Sequence, residues 1–230
     1  MHKEELKYWY LRNHSLFETM TDADIHTLCI ISSFKQGDKN DVINFSEFDS
    51  QRLYTVKEGA MKICYLDETG KEMITEILTE HDIFGCTSLS ANSTGTKRNE
   101  YAKILTDHTK VCSFDLDRFK EVLQKNPQLS LNYSSKINDK LVSIQQRYSD
   151  LIFKDVDTRI HDFFKTYALS FGKKDGNRIE MDMHLTHQEI AEYTASSRQS
   201  VTTAINKLID KGVLQYLSRR KVVIPDVYNY

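Results

Sequence analysis

No apolar run in this chain of 230 residues approaches the roughly 18 that a membrane-crossing helix needs, so no span is expected. The first residues, MHKEELKYWYLRNH, are charged and aromatic and lack the apolar core of a secretory signal. Cysteine is scarce: Cys29, Cys64, Cys86 and Cys112 stand 35, 22 and 26 residues apart, with no CxxC pair. That spacing signals neither zinc nor an iron–sulfur cluster, so no metal site is expected. Thiols in a chain without a signal point to the cytoplasm. HExxH, GxSxG, P-loop and GxGxxG patterns are absent, so no enzyme activity is expected and no catalytic residue is assigned. What remains, 40% hydrophobic and 28% charged residues, describes a globular chain of one large or two modest domains.

The net charge of −2 hides an asymmetry. Residues 1–150 hold 19 Lys/Arg against 23 Asp/Glu, and residues 151–230 hold 12 against 10. Between Arg198 and Lys221 six basic residues (Arg198, Lys207, Lys211, Arg219, Arg220, Lys221) face one acid, Asp210. Positive charge is gathered where phosphate binding would require it.

That region follows the most informative stretch, His184–Leu214. Thr186 and Glu189 form a Thr-x-x-Glu capping box, so a helix is predicted from His187 to near Thr194. Ser197 can cap a second helix whose Val201, Ile205 and Leu208 make one buried stripe, with Gly212 as its stop. The opposite face shows Arg198, Gln199, Thr202, Thr203 and Asn206. Arg pairs with the O6/N7 edge of guanine, Gln and Asn with the N6/N7 edge of adenine, and Thr adds a methyl for thymine. A solvated helix usually carries Glu and Lys there. The pattern reads as a helix-turn-helix whose second helix enters a major groove; the bland alternative is the polar surface of a helical hairpin. Val213–Leu217 and Lys221–Ile224 then flank a basic tip, with Arg219, Arg220 and Lys221 placed for phosphates as in the wing of a winged helix. Thr186, Ser197 and Ser200 are further phosphate candidates.

Upstream, residues 1–34 read as helical, with Thr21 capping the helix of Ile25, Leu28 and Cys29. From Phe34 short runs predict strands: Asp41–Phe45, Arg52–Val56, Ala60–Tyr65, Met73–Leu78 and Lys110–Asp115. Turns are expected at Gln36-Gly37, Glu58-Gly59 and before Gly70, which together argue for a small β barrel or sandwich. Gly85–Glu100 is polar and aperiodic, a surface loop or a ligand-binding one. Phe119, Val122 and Leu123 predict a short helix ended near Asn126-Pro127. After it Ile137, Leu141, Ile144, Tyr148 and Leu151 recur at spacings of 4, 3, 4 and 3, the narrow seam of a two-stranded coiled coil and hence of a homodimer. Asp155 ends that helix or caps the next, which carries Ile160, Phe163, Phe164 and Ala168. Phe171–Arg178 is expected to be a solvated loop, and Ile179–Met183 a short strand.

In this order the parts resemble the CRP/FNR family of bacterial transcription regulators, over Leu16 to Ile224. The strongest section is Leu185-Thr-His-Gln-Glu-Ile-Ala followed by Ser197-Arg-Gln-Ser-Val. Support comes from Leu53-Tyr-x-Val-x-x-Gly59, Gly70-Lys-Glu72, Asp82-Ile-Phe-Gly85 and Asp155-Val-x-x-Arg-Ile160. The resemblance implies an α+β fold: an N-terminal β-roll like a cyclic-nucleotide-binding domain (1–127), a dimerisation helix and hinge (128–154), and a winged helix-turn-helix (155–230). It implies a cytoplasmic homodimer on an inverted-repeat operator in double-stranded DNA, with RNA polymerase as a partner. Arg198, Gln199 and Thr203 fall at the main base-reading positions. The cyclic-AMP-responsive members carry Arg, Glu and Arg there, so a different operator is expected.

The effector end matches less well. The implied pocket comprises Gly85, Cys86, Thr87, Ser88, Arg98, Asn99 and Glu100. Members that bind cyclic nucleotides have glycine–glutamate for the ribose, where this chain has Gly85-Cys86. Their Arg-Ser pair falls at Asn99-Glu100, with Arg98 one residue away, and Glu100 would repel a phosphate. Cyclic AMP (cAMP) is therefore not expected as effector, and no cofactor is identified. An N-terminal cysteine cluster for iron–sulfur sensing is missing. His81, Cys86 and His108 are haem-ligand candidates by composition alone, and Cys86 is a redox thiol only if its pKa is lowered. The alternative function is a ligand-binding or scaffold module whose winged helix binds protein.

Overall fold

The computed structural model describes residues 3–44, 51–86 and 99–225. The chain forms two compact units, residues 1–143 and 144–230.

The first unit opens with α1 (Lys3–Arg12), a 3-10 turn (Ser15–Phe17) and α2 (Asp22–Ile31). Thr21 caps α2, and Asp24 returns the contact to complete a capping box. Two antiparallel sheets follow. One has the order β1 (Ser32–Gly37), β8 (Thr109–Asp115), β3 (Arg52–Glu58), β6 (Ile83–Gly85). The other runs β2 (Val42–Asn44), β7 (Glu100–Ile104), β4 (Met61–Leu66), β5 (Glu72–Leu78). The hairpin of β4 and β5 turns at Gly70, whose φ of 81° suits glycine.

Strand β3 is covered on both faces. Leu53 joins a cluster with Leu16, Phe17, Phe114, Phe119 and Tyr133, built largely from helices. Tyr54 and Val56 point the other way, into a core with Met61, Phe84, Ile104 and Val111. Burying each such side chain stabilises by about 1.5–3 kcal/mol. Such a strand reads as a continuous buried run instead of an alternating one. α3 (Leu116–Lys125), capped by Asp115, closes the sheet, and α4 (Pro127–Phe153) follows directly.

Strands β1, β6 and β7 were not among those expected, and the turn anticipated at Gln36-Gly37 lies beyond Gly37. SSFKQG has one apolar residue, Phe34, and EYAKI is a short run interrupted by Glu100 and Lys103. They become strands because β8 pairs with β1, and β2 and β4 flank β7.

In the second unit, Asp155 caps α5 (Val156–Phe171), accepting from the Thr158 N–H at 2.8 Å. The expected loop at 171–178 is instead a hairpin of β9 (Gly172–Asp175) and β10 (Arg178–Asp182). β9 reads as loop because it is polar and mostly exposed, so no alternation betrays it, whereas β10 lies where a strand over Ile179–Met183 is expected, one residue earlier at each end. Gly176 (φ 59°) and Asn177 make the turn between the paired Asp175 and Arg178, and Gly-Asn was the overlooked hairpin signal. The sheet of this unit is completed by β11 (Gln215–Ser218) and β12 (Lys221–Ile224), in the order β11-β12-β10-β9.

Candidate nucleic-acid interface

α6 (His187–Thr194) and α7 (Arg198–Asp210) form the helix pair. Thr186 accepts from the Glu189 N–H, and the Glu189 carboxylate accepts from the Thr186 N–H at 2.7 Å and its hydroxyl at 2.8 Å. The turn passes through Ala195 in the left-handed conformation (φ 49°, ψ 53°). Arg159 of α5 holds this turn: Nε donates to the Thr194 carbonyl (3.1 Å), Nη2 to that of Ala195 (3.3 Å), and Nη1 to that of Lys154 (2.7 Å). A left-handed residue with a Cβ costs about 1–2 kcal/mol. Ala195→Gly should therefore raise stability by about 0.5–1 kcal/mol after glycine's own entropic cost. Urea unfolding checks this; a lower midpoint would show that Ala195 is not strained.

α7 begins at Ser197, whose hydroxyl accepts from the Ser200 N–H at 3.0 Å and lies 2.8 Å from the Ser200 hydroxyl. It is followed by Gly212 at φ 69°. Val201, Ala204, Ile205 and Leu208 are buried. Arg198, Gln199, Thr203 and Asn206 are exposed on the other side, and Thr202, which lies between Arg198 and Asn206, is half-buried beside His187. Together these five span an arc of about 140° at 3.6 residues per turn. Among the described residues, the side chains of Arg198, Gln199, Thr203 and Asn206 make no hydrogen bond to protein. They are available to another molecule.

The other sequence-derived positions divide. Arg219 and Arg220 sit exposed at the β11–β12 tip with no side-chain partner among the described residues. Lys221 is already paired, its Nζ 2.5 Å from Glu180 of β10, a contact that raises the lysine pKa and lowers that of the acid. The Thr186 proton is likewise committed to Glu189, and the Ser197 hydroxyl caps its own helix. What these helix starts offer an anion is backbone N–H groups. Sequence reasoning missed Arg159, Glu180 and His187, whose Nδ1 lies 3.0 Å from Thr202 Oγ1. The Arg-Ile of the α5 start was a visible signal for the first; the others are tertiary pairings.

On α4, Leu141 (51% exposed), Ile144 (51%), Tyr148 (68%) and Leu151 (47%) stand in solvent, whereas Ile137 is half-buried against its own unit's core. Of the effector positions, Thr87, Ser88 and Arg98 lie outside the described residues. Gly85 (φ 84°) is fixed by packing, since a Cβ there would lie 2.6 Å from the Tyr54 ring and 2.7 Å from the Arg52 carbonyl. Cys86 is half-buried against the cluster of Tyr133 and Ile137, and its N–H donates to the Arg52 carbonyl at 2.9 Å. Asn99 is exposed, and Glu100 is half-buried opposite Tyr65. His81 stacks edge-on to His14, and His108 is exposed beside Asp38, so these two are not brought together with Cys86. A cleft of about 340 Å³ opens elsewhere, lined by Lys35, Gly37, Asp41, Ile43 and Ile104.

Comparison with known proteins gives this arrangement its class. The cyclic nucleotide-binding domain family matches residues 34–126, and the Crp-like helix-turn-helix domain family matches residues 159–228. The chain is 26% identical over 188 residues to the global nitrogen regulator of Nostoc sp., covering 81% of this chain and 82% of the relative. It is 28% identical over 175 residues to the CRP-like cAMP-activated global transcriptional regulator of Mycobacterium tuberculosis, covering 76% of each. The fold is that of a CooA mutant from Carboxydothermus hydrogenoformans (TM-score 0.69, 24% identity, 87% of this chain and 86% of that one). It is also that of a cyclic nucleotide-binding domain containing protein from Listeria monocytogenes EGD-e (TM-score 0.72, 15% identity, 99% of each chain). A ligand-binding-type β-roll joined to a helix-turn-helix is the architecture of a DNA-binding transcription regulator, not an enzyme. This chain belongs to the CRP/FNR family. Members of the family bind DNA operators as dimers. Among the described residues no helix is long and apolar enough to cross a membrane.

Proposed function

We propose that this protein acts in the cytoplasm as a homodimer on an inverted-repeat operator, with one α7 in each of two successive major grooves. The observation that carries the reading is the outward face of α7: Arg198, Gln199, Thr203 and Asn206 are exposed and, among the described residues, unpaired, behind a buried stripe. Thr202 supplements them from between Arg198 and Asn206. Arg219 and Arg220, with the helix starts at Thr186 and Ser197–Ser200, would hold phosphates, and Lys221 would do so in exchange with Glu180. The dimer seam is Leu141, Ile144, Tyr148 and Leu151, with Ile137 at its inner end. On this reading residues 1–127 form the sensor, 128–154 the dimer helix and hinge, and 155–230 the DNA domain. RNA polymerase is the expected further partner. Cys86 in place of an acid, and Glu100 near where a phosphate would lie, argue that any effector around Gly85–Glu100 is not cAMP.

Operator selection on the purified protein tests this. It should return a palindrome that differs from the cAMP-type site and is bound equally with and without added cAMP. Arg198→Ala should cost about 1–3 kcal/mol at one base position of each half-site and relax the preference there. Arg219→Ala should weaken all duplexes alike and reduce the salt slope by about 1. Salt-independent or absent DNA binding would favour a protein-binding winged helix instead.

A further inference from the structure

His187 is the first residue of α6, and its Nδ1 lies 3.0 Å from Thr202 Oγ1 on α7. The same hydroxyl lies 3.0 Å from the Arg198 carbonyl oxygen. A carbonyl oxygen only accepts, so the single Thr202 proton goes to Arg198. Thr202 must then accept from His187, which places the imidazole proton on Nδ1 and leaves Nε2 a bare acceptor in the neutral ring. A phosphate oxygen also only accepts. Neutral His187 therefore has no proton to offer a phosphate, whereas the imidazolium would donate a charge-assisted bond from Nε2 while keeping Nδ1 on Thr202.

The surroundings disfavour the charged ring without DNA. Burial comes first and the Arg198 guanidinium second, and both hold its pKa below the ordinary histidine value. Among the elements packed on α6, α7 presents Arg198 to the ring, while Arg159 of α5 is bound at the far end, on the Thr194 and Ala195 carbonyls. On α6 itself the Glu189 carboxylate is engaged by Thr186, and Glu192 accepts from Gln188. No carboxylate contacts His187 among the described residues.

The geometry points to His187 as a proton-linked positioning residue: it fixes Thr202 against Arg198 on the reading helix, and it joins the DNA interface by taking one proton from solvent at Nε2. This rests on the DNA-binding reading above. A phosphate beside the ring stabilises the imidazolium, so each protomer binds one proton along with DNA. Affinity then rises as pH falls, by up to about tenfold per pH unit for each protomer.

Two measurements on the full-length protein test the inference. Fluorescence anisotropy with a labelled duplex of the selected operator, from about pH 8 down to about pH 6 at fixed salt, should show a tightening that His187→Gln lacks. The glutamine amide can donate to Thr202 or to a phosphate at any pH, so its profile is expected to stay flat. Nitrogen-15 NMR of the DNA-free protein should show the His187 proton on Nδ1. Parallel pH profiles for the two proteins, with DNA binding retained, would sink the inference alone, as would a proton on Nε2 in the free ring. Loss of DNA binding by both proteins at every pH would sink the DNA reading and this inference with it.

Discussion

Replacing Leu141 and Ile144 together by glutamate is expected to leave each chain folded, to abolish its dimer and to weaken operator binding by about 10²–10⁴-fold. Leu141 closes the first unit and Ile144 opens the second, and both side chains are half exposed in the single chain, so neither unit loses much when they become polar. In a coiled-coil seam the same positions meet their symmetry mates, and two pairs of like charges at the contact oppose association. Without the seam, the second half-site is no longer held at high effective concentration beside the first, and that gain in affinity is lost. Sedimentation equilibrium and anisotropy on one sample distinguish the steps. A variant that remains dimeric would place the interface elsewhere. A monomer with undiminished affinity would mean that one α7 suffices.

The second large effect is expected at Lys57. This lysine is only 3% exposed and lies on β3, with its Nζ 5.3 Å from the centre of the Phe17 ring. Its ammonium has no hydrogen-bond partner among the described residues. Lys62, at 2% exposure, is the contrast: it donates to Glu72 at 2.9 Å. Burial alone would raise the Glu72 carboxyl, but Tyr101 and Lys62 outweigh it and hold the pKa near about 2. Burial lowers Lys57 from 10.5 to about 8, only weakly opposed by Cys112, Cys29 and Glu80. With about 1.4 kcal/mol per tenfold in proton affinity, charged Lys57 costs about 3 kcal/mol near neutral pH. The contact with Phe17 returns about 1 kcal/mol. Lys57→Met keeps the length of the side chain and should raise unfolding free energy near pH 7 by about 2–3 kcal/mol.

The pH profile supplies the sign. Between about pH 8 and 10.5 the unfolded chain keeps a proton on Lys57 that the folded chain has released, so wild-type stability rises with pH there and the variant's does not. His14 acts at the acid end. Its Nδ1 accepts from the Leu16 N–H at 3.0 Å, which puts the ring proton on Nε2, 2.5 Å from Thr55 Oγ1. Burial first, then Lys57, His81 and Lys136, hold its pKa well below 6.5. Its contribution is complete above 6.5 and is lost as pH falls toward the folded value, because the unfolded chain takes up the proton first. Removing the Lys57 charge should soften that acid loss. Urea titrations of both proteins across this range test the account, and superimposable profiles would overturn it.

The helix pair was legible in the sequence because its determinants are local. Thr186 with Glu189 and Ser197 with Ser200 set both starts through neighbours three residues away, and the 3.6-residue period sorts Val201 and Ile205 from Gln199 and Thr203. The Leu141–Leu151 stripe was legible for the same reason. The first unit was harder. β1 has little strand character of its own and exists through a partner 60 or more residues distant in β8, and the short β7 is fixed by β2 and β4 on either side. Among the described residues the polar β9 pairs as a strand with β10 alone.

Sequence by itself determined which side chains α7 turns outward, because capping and periodicity act within a few residues. Only the tertiary structure decided what those side chains are already doing. Lys221 is tied to Glu180, the left-handed turn at Ala195 is held by Arg159, and Thr202 is fixed between Arg198 and His187. Hydrogen-bond partners that come from different elements follow from packing, which no local pattern encodes.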